Sequence, residues 1–172
     1  LKFVINKSVY GQLRNNNKAF KLTEEIVEEE SFSPKFVYSH LVIPHHPYYF
    51  DKNGNPAPLD KLKEFSGANK KDYVEYLQYA NSKLLNLVDH IKKKSAQPPI
   101  IILMGDHGFR QFNDSVSKKY HFMNLSSFSI PNGDYTRFYD SSSSVNQIRT
   151  FLNTQFNQQL PLLKDSTVFI QQ

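Results

Sequence analysis

The chain has 172 residues, 39% hydrophobic and 22% charged, with 14 Phe, 10 Tyr and no Trp. That length can bury a sizeable core, and that balance excludes a globally disordered chain. Cysteine is absent, which excludes disulfides and thiolate metal sites. The net charge of +5 comes from scattered lysines, including Lys61 and Lys63, Lys70 and Lys71, Lys92 to Lys94, and Lys118 and Lys119. No stretch has the density of a nucleic-acid footprint. The apolar run Ile100 to Met104 falls far short of the ~20 residues of a membrane-spanning helix. Because the chain opens on Leu1 and not Met, an upstream part is expected.

Residues 1 to 17 end in the Asn15–Asn16–Asn17 cluster and read as a loop. From Lys18 to Glu30 the composition favours a helix, with Leu22, Ile26 and Val27 on one face, and Ser33–Pro34 stops it. Lys35 to Ile43 is aromatic and β-branched, with apolar residues on both faces, as in a strand buried on both sides. Asp51 to Pro58 is turn-rich around Asn53–Gly54. The clearest helix runs from Asn69 to Lys94, its apolar stripe marked by Tyr73, Tyr76, Leu77, Ala80, Leu84, Leu87, Val88 and Ile91.

After Pro98–Pro99 comes a second apolar strand, Ile100 to Met104. Strand, long helix, strand is a βαβ pattern, so the expected class is α/β with a mostly parallel sheet flanked by helices. Phe122 to Ile130 reads as a further strand closed by Pro131–Asn132–Gly133. Ser144 with Gln147 forms a capping-box pattern, and Val145, Ile148, Phe151, Leu152 and Phe156 supply the buried face of the last helix. A short strand over Thr167 to Ile170 ends the sequence.

The sharpest chemical feature is Gly105-Asp-His-Gly108, directly after the strand Ile100 to Met104. Sites in α/β sheets gather at the carboxyl ends of parallel strands. There Asp106 and His107 offer a hard oxygen and an imidazole to a divalent cation. Both reach one ion only if the chain turns, and the flanking glycines permit unusual φ values and close backbone approach. The same four residues also suit a plain turn with a solvated Asp and His.

The second feature is Ile43-Pro-His-His-Pro-Tyr-Tyr-Phe50. His45 and His46 are poor ligands for one shared ion, because neighbours in extended chain point apart. One facing a site and one facing away is the natural arrangement, and packing or surface roles for both remain open. His40, within the strand, is expected to be buried and satisfied. His121 is expected to be exposed, and His90 lies on the polar side of the long helix. Asp51, Asn53 and Asn55 alternate like the start of a calcium loop, but Pro56 replaces the required Gly and Leu62 the required Glu, so a turn is expected. Neither a phosphate-cradling glycine loop nor a nucleophile elbow is present.

Taken together, Pro34-Lys-Phe-Val-Tyr-Ser-His-Leu-Val-Ile-Pro-His-His-Pro-Tyr-Tyr-Phe-Asp51 and Pro98-Pro-Ile-Ile-Ile-Leu-Met-Gly-Asp-His-Gly108 resemble the later half of a sulfatase/alkaline phosphatase-type catalytic domain. The branch most similar contains lipoteichoic acid synthases and phosphoethanolamine transferases. The resemblance divides the chain into a lead-in over residues 1–33 and the C-terminal part of an alkaline-phosphatase-like catalytic domain, a partial domain, over residues 34–172. It implies that Asp106 and His107 bind a divalent metal ion, zinc or manganese, and that His45 contacts the substrate's phosphate. It further implies a phosphate- or sulfate-ester substrate carried on a lipid or glycan, no nucleic-acid partner, a membrane tether through an N-terminal part, and an extracytoplasmic position on a bacterial membrane. The nucleophile and an acidic ligand of such enzymes lie earlier in the chain, and residues 1–33 hold no counterpart, so this stretch alone is expected to be inactive. The competing expectation is a non-catalytic α/β module that binds polyanions or glycans through its aromatic and basic surface.

Overall fold

A computed structural model describes residues 9–63, 69–111, 116–131 and 133–168. The chain forms two compact units, Leu1–Pro98 and Pro99–Gln172.

In the first unit, helix α1 (Gly11–Glu28) packs on helix α3 (Lys70–Lys94), with the short α2 (Leu59–Lys63) between them in sequence. α1 begins seven residues before the expected Lys18 and takes in the Asn cluster. The reason is tertiary. Asn16 is buried, and its amide both accepts from the Val42 N–H (2.7 Å) and donates to the Val42 carbonyl (2.7 Å). Those two bonds offset the weak helix propensity that makes Asn look like a loop residue. At the other end Lys35 Nζ donates to the Ile26 and Glu29 carbonyls, each at 2.6 Å, and so covers carbonyls that a helix C-terminus leaves unpaired. α3 starts as its sequence indicates: the Asn69 side chain accepts from the Asp72 N–H at 2.9 Å. The core joins Tyr48, Tyr49, Leu62 and Tyr76, with the rings of Tyr49 and Tyr76 edge-to-face at 6.3 Å.

Lys35 to Ile43 is not a strand in a sheet. It runs beside α1, with Ser39 against Thr23 and Val42 against Asn16. Seven helical residues rise about 10.5 Å. Only three residues of the segment cover that rise, about 3.5 Å each, which is the limit of an extended chain. Ser39 to Val42 is therefore extended and antiparallel to α1. Phe36, Val37 and Tyr38 are 92%, 43% and 79% exposed, and His40 is exposed where a buried histidine is expected.

In the second unit, β1 (Ile101–Met104) pairs antiparallel with β2 (Ser126–Ser129), in the register Ile101 to Ser129 and Met104 to Ser126. A 3-10 turn (Lys118–Phe122) precedes β2, so the strand expected over Phe122 to Ile130 is confined to its middle. Helix α4 (Ser144–Gln155) follows, capped by the Ser143 side chain, not by Ser144. Its buried residues are Asn146, Thr150 and Phe151, whereas Val145 and Phe156 are 54% and 56% exposed, contrary to the apolar face expected. Of the expected face, Phe151 is buried, its ring 5.9 Å from that of Phe128, and Leu152 is half-buried; a polar stripe is covered as well, because the tail lies along it. Asn146 exchanges bonds with Leu163 (2.9 and 2.7 Å), and Asn153 does the same with Leu160 (2.8 and 2.9 Å). Thr167 and Val168 belong to no strand, and the rest of that expected element lies outside the described residues.

The expected mostly parallel, alkaline-phosphatase-like α/β sheet is therefore overturned. Among the described residues the sheet has two strands, and they are antiparallel. Periodicity identifies apolar strands and helices but not the partner of each strand. Here the chain reverses after β1 and pairs with its own return, while the long helix packs on α1 instead of bridging two parallel strands. No helix among the described residues is long and apolar enough to cross a membrane.

Candidate functional site

β1 carries the chain to Gly105, whose N–H donates to the Leu125 carbonyl at 2.9 Å and extends the ladder by one residue. Asn124 holds the same glycine from the other side, donating to the Gly105 carbonyl at 2.6 Å and to Ser144 Oγ at 3.2 Å. Three residues on, the Gly108 N–H donates to the His121 carbonyl at 2.8 Å. The loop bearing Asp106 and His107 is thus anchored at both ends.

Neither flanking glycine has a positive φ, so the expected conformational role is not theirs. Close approach is, at Gly108. A Cβ there would stand 2.0 Å from the Tyr120 carbonyl oxygen and 2.8 Å from that of Met123. At Gly105 the nearest atoms are 3.5 Å away, an ordinary contact.

His107 Nδ1 is hydrogen-bonded to the Gly108 carbonyl oxygen at 2.5 Å. A carbonyl only accepts, so the proton sits on Nδ1 and the Nε2 lone pair is left available in the neutral ring. Nε2 lies 3.6 Å from Asp106 Oδ2. The Asp106 side chain is 90% exposed and that of His107 34%, so the pair sits at the surface with its polar atoms reachable. Two ligands held about 2.1 Å from one tetrahedral ion stand about 3.4 Å apart. The observed separation fits that spacing. The same contact is an ion pair when the imidazole is protonated. Among the described residues no three His, Asp or Glu side chains gather as a complete metal site.

In the first unit, His45 is exposed and His46 buried, as expected of a pair with one side chain facing out; the chain here is not extended but bends between two cis bonds, Ile43–Pro44 and His46–Pro47. His46 packs edge-on against Tyr48 at 5.2 Å. Burial, and then the neighbouring His45, hold its pKa below the usual imidazole value. His45 repeats the arrangement of His107: its Nδ1 donates to the His46 carbonyl, the next residue along, at 2.5 Å. The two histidines singled out by sequence therefore share one tautomer, fixed by the same local bond.

Two contributors escaped the sequence. His121 is half-buried instead of exposed, and its carbonyl supports the loop at Gly108. Asn124 ties the loop to the start of α4. A lone asparagine and a main-chain oxygen carry no pattern that distinguishes them in one sequence. The Asp51 loop is a turn, as expected: Asp51 Oδ1 accepts from the Asn53 and Asn55 N–H groups at 2.8 and 2.9 Å, and Oδ2 from the Asn55 side chain. Its carboxylate is spent on its own backbone. His90 lies 3.3 Å from Glu28, joining α3 to α1. No family model, curated protein or solved structure matches this chain.

Proposed function

We propose that Asp106 and His107 are two protein ligands of a divalent cation, zinc or manganese, in a protein that hydrolyses phosphate or sulfate esters or transfers a phospho-head-group. The observation that carries this reading is the 3.6 Å separation of Asp106 Oδ2 from His107 Nε2, with the imidazole locked in the tautomer that frees Nε2. A ring N–H held by a backbone carbonyl is the usual support of a metal-bound histidine. When bound, such an ion supplies Lewis-acid stabilisation of charge developing on the ester oxygens.

The residues' own roles follow from their contacts. Asp106 and His107 hold the cation, and Gly108 lets the loop lie against the Tyr120–Met123 backbone so that the two donors converge. The remaining ligands and the nucleophile come from residues outside this set, and the resemblance to lipoteichoic acid synthases and phosphoethanolamine transferases supports an extracytoplasmic, membrane-tethered setting.

Titration calorimetry with Zn²⁺ and Mn²⁺ tests this. One ion is expected to bind weakly, since two ligands leave most of the coordination shell to water. Asp106→Ala and His107→Ala should each weaken it by more than the roughly 10–100-fold that follows loss of a supporting partner. Affinity unchanged in both variants, with the fold intact by circular dichroism, would sink the assignment.

A further inference from the structure

We infer that Asn124 is the positioning residue of the Asp106–His107 pair, a role that rests on those two being cation ligands. In the register of β1 on β2, Gly105 stands opposite Leu125, and its N–H donates to the Leu125 carbonyl at 2.9 Å. An antiparallel pair of that kind exchanges two main-chain bonds. The return bond, from the Leu125 N–H to the Gly105 carbonyl, is not made among the described residues. Asn124 Nδ2 takes its place, donating to that carbonyl at 2.6 Å.

That carbonyl belongs to the peptide joining Gly105 to Asp106. A peptide is planar, so a donor fixed on its oxygen also fixes the direction of the Asp106 N–H and Cα. Asp106 needs such a hold. Its side chain is 90% exposed, and the 3.6 Å approach to His107 Nε2 is its only polar contact among the described residues. The far end of the loop is held differently. There the Gly108 N–H donates to the His121 carbonyl at 2.8 Å, main chain to main chain, and His107 Nδ1 is bonded to the Gly108 carbonyl. Asn124 is thus the side chain whose loss frees the Asp106 end and leaves the His107 end in place.

The amide is itself braced. A carbonyl only accepts, so the nitrogen of Asn124 faces Gly105, and the same nitrogen donates to Ser144 Oγ at 3.2 Å, on the first residue of α4. Two residues along, Ser126 Oγ donates to Gln147 Oε1 at 2.6 Å and ties β2 to the same helix without touching the loop. Groups that orient metal ligands without touching the metal change its affinity about 10–100-fold when lost.

The test titrates Zn²⁺ alone into the whole chain and reads its affinity at the His107 imidazole resonances. Asn124→Ala is expected to weaken Zn²⁺ about tenfold or more. Ser144→Ala keeps the amide and removes only its brace, so it should weaken Zn²⁺ about two- to threefold, the share of one weak hydrogen bond. If Asn124→Ala does not fold, Ser144→Ala decides alone. Ser126→Ala is the structural control: it cuts the neighbouring strand-to-helix bond and should leave the affinity unchanged. Unchanged affinity in Asn124→Ala and Ser144→Ala, while Asp106→Ala loses Zn²⁺, overturns the positioning role and leaves the cation ligands standing. An equal loss in Ser126→Ala overturns it too, because packing of β2 on α4 then accounts for the effect. A natural chain that binds no Zn²⁺ removes the ligand pair itself, and the positioning role with it.

Discussion

Gly108→Ala tests whether the Asp106–His107 loop is held by close backbone approach. The added Cβ would meet the Tyr120 carbonyl oxygen at 2.0 Å and the Met123 carbonyl carbon at 2.9 Å, against an ordinary contact near ~3.5 Å. Both obstacles are main chain, so neither can rotate aside. The loop must withdraw by more than about 1 Å, which breaks the 2.8 Å bond from the Gly108 N–H to the His121 carbonyl. Losing that bond costs about 1 kcal/mol, and overpacking adds about 1–3 kcal/mol. A loss of roughly 2–4 kcal/mol is expected for the second unit, measured by urea unfolding and by exchange of the β1 amides. Gly105→Ala is the internal control. Its Cβ finds 3.5 Å of clearance and φ is not positive, so it should cost less than about 1 kcal/mol. If the two variants differ by less than about 0.5 kcal/mol, Gly108 does not hold the loop in the way argued.

The tail of the second unit should loosen in acid. Asp165 accepts from the Tyr139 hydroxyl, the Ser143 N–H and the Asn146 side chain, and these bonds, that from Tyr139 foremost, hold its carboxyl below the usual range. A depressed folded-state value stabilises above the unfolded value, about 3.9, and that contribution disappears as pH falls further. Proteolysis of the tail should therefore rise below about pH 4 in the natural chain, while Asp165→Asn should show the loosened state at every pH; a flat profile in the natural chain contradicts this. Tyr76→Phe should be neutral or stabilising by up to about 1 kcal/mol in urea, because the Tyr76 hydroxyl is fully buried and bonds no described group. A destabilisation of about 2 kcal/mol would reveal a partner for that oxygen.

The sequence revealed elements better than partners. The helix over Lys70–Lys94 was legible because eight apolar positions keep one period and Asn69 caps it. β1 was legible as a short apolar run after two prolines, and the Asp106–His107 pair does follow its carboxyl end. Pairing was not legible. Lys35 to Ile43 has the composition of a buried strand, yet whether it finds a neighbour depends on residues far away in sequence. Likewise α4 carries an apolar stripe at helical spacing, but the tail binds the face that offers Asn146 and Asn153, leaving Val145 and Phe156 exposed.

The asparagines show why local rules failed here. Asn16, Asn146 and Asn153 each give one acceptor and one donor to the N–H and C=O of a single residue: Val42, Leu163 and Leu160. A primary amide matches the main-chain pair, so each asparagine stands in for a neighbouring strand. The spacing repeats as well. Asn16 and Thr23 are seven residues apart on α1 and meet Val42 and Ser39, three apart; Asn146 and Asn153 are seven apart on α4 and meet Leu163 and Leu160, also three apart. Two helical turns rise about 10.5 Å, the length of three extended residues. Each unit therefore fastens an extended segment antiparallel along a helix at matched intervals, by side-chain bonds instead of a sheet. Propensity counts such asparagines against a helix because it weighs only their competition with the local backbone. In this chain that same capacity is directed at a distant backbone, and the residues that look like a loop are the ones that hold the helix to its neighbour.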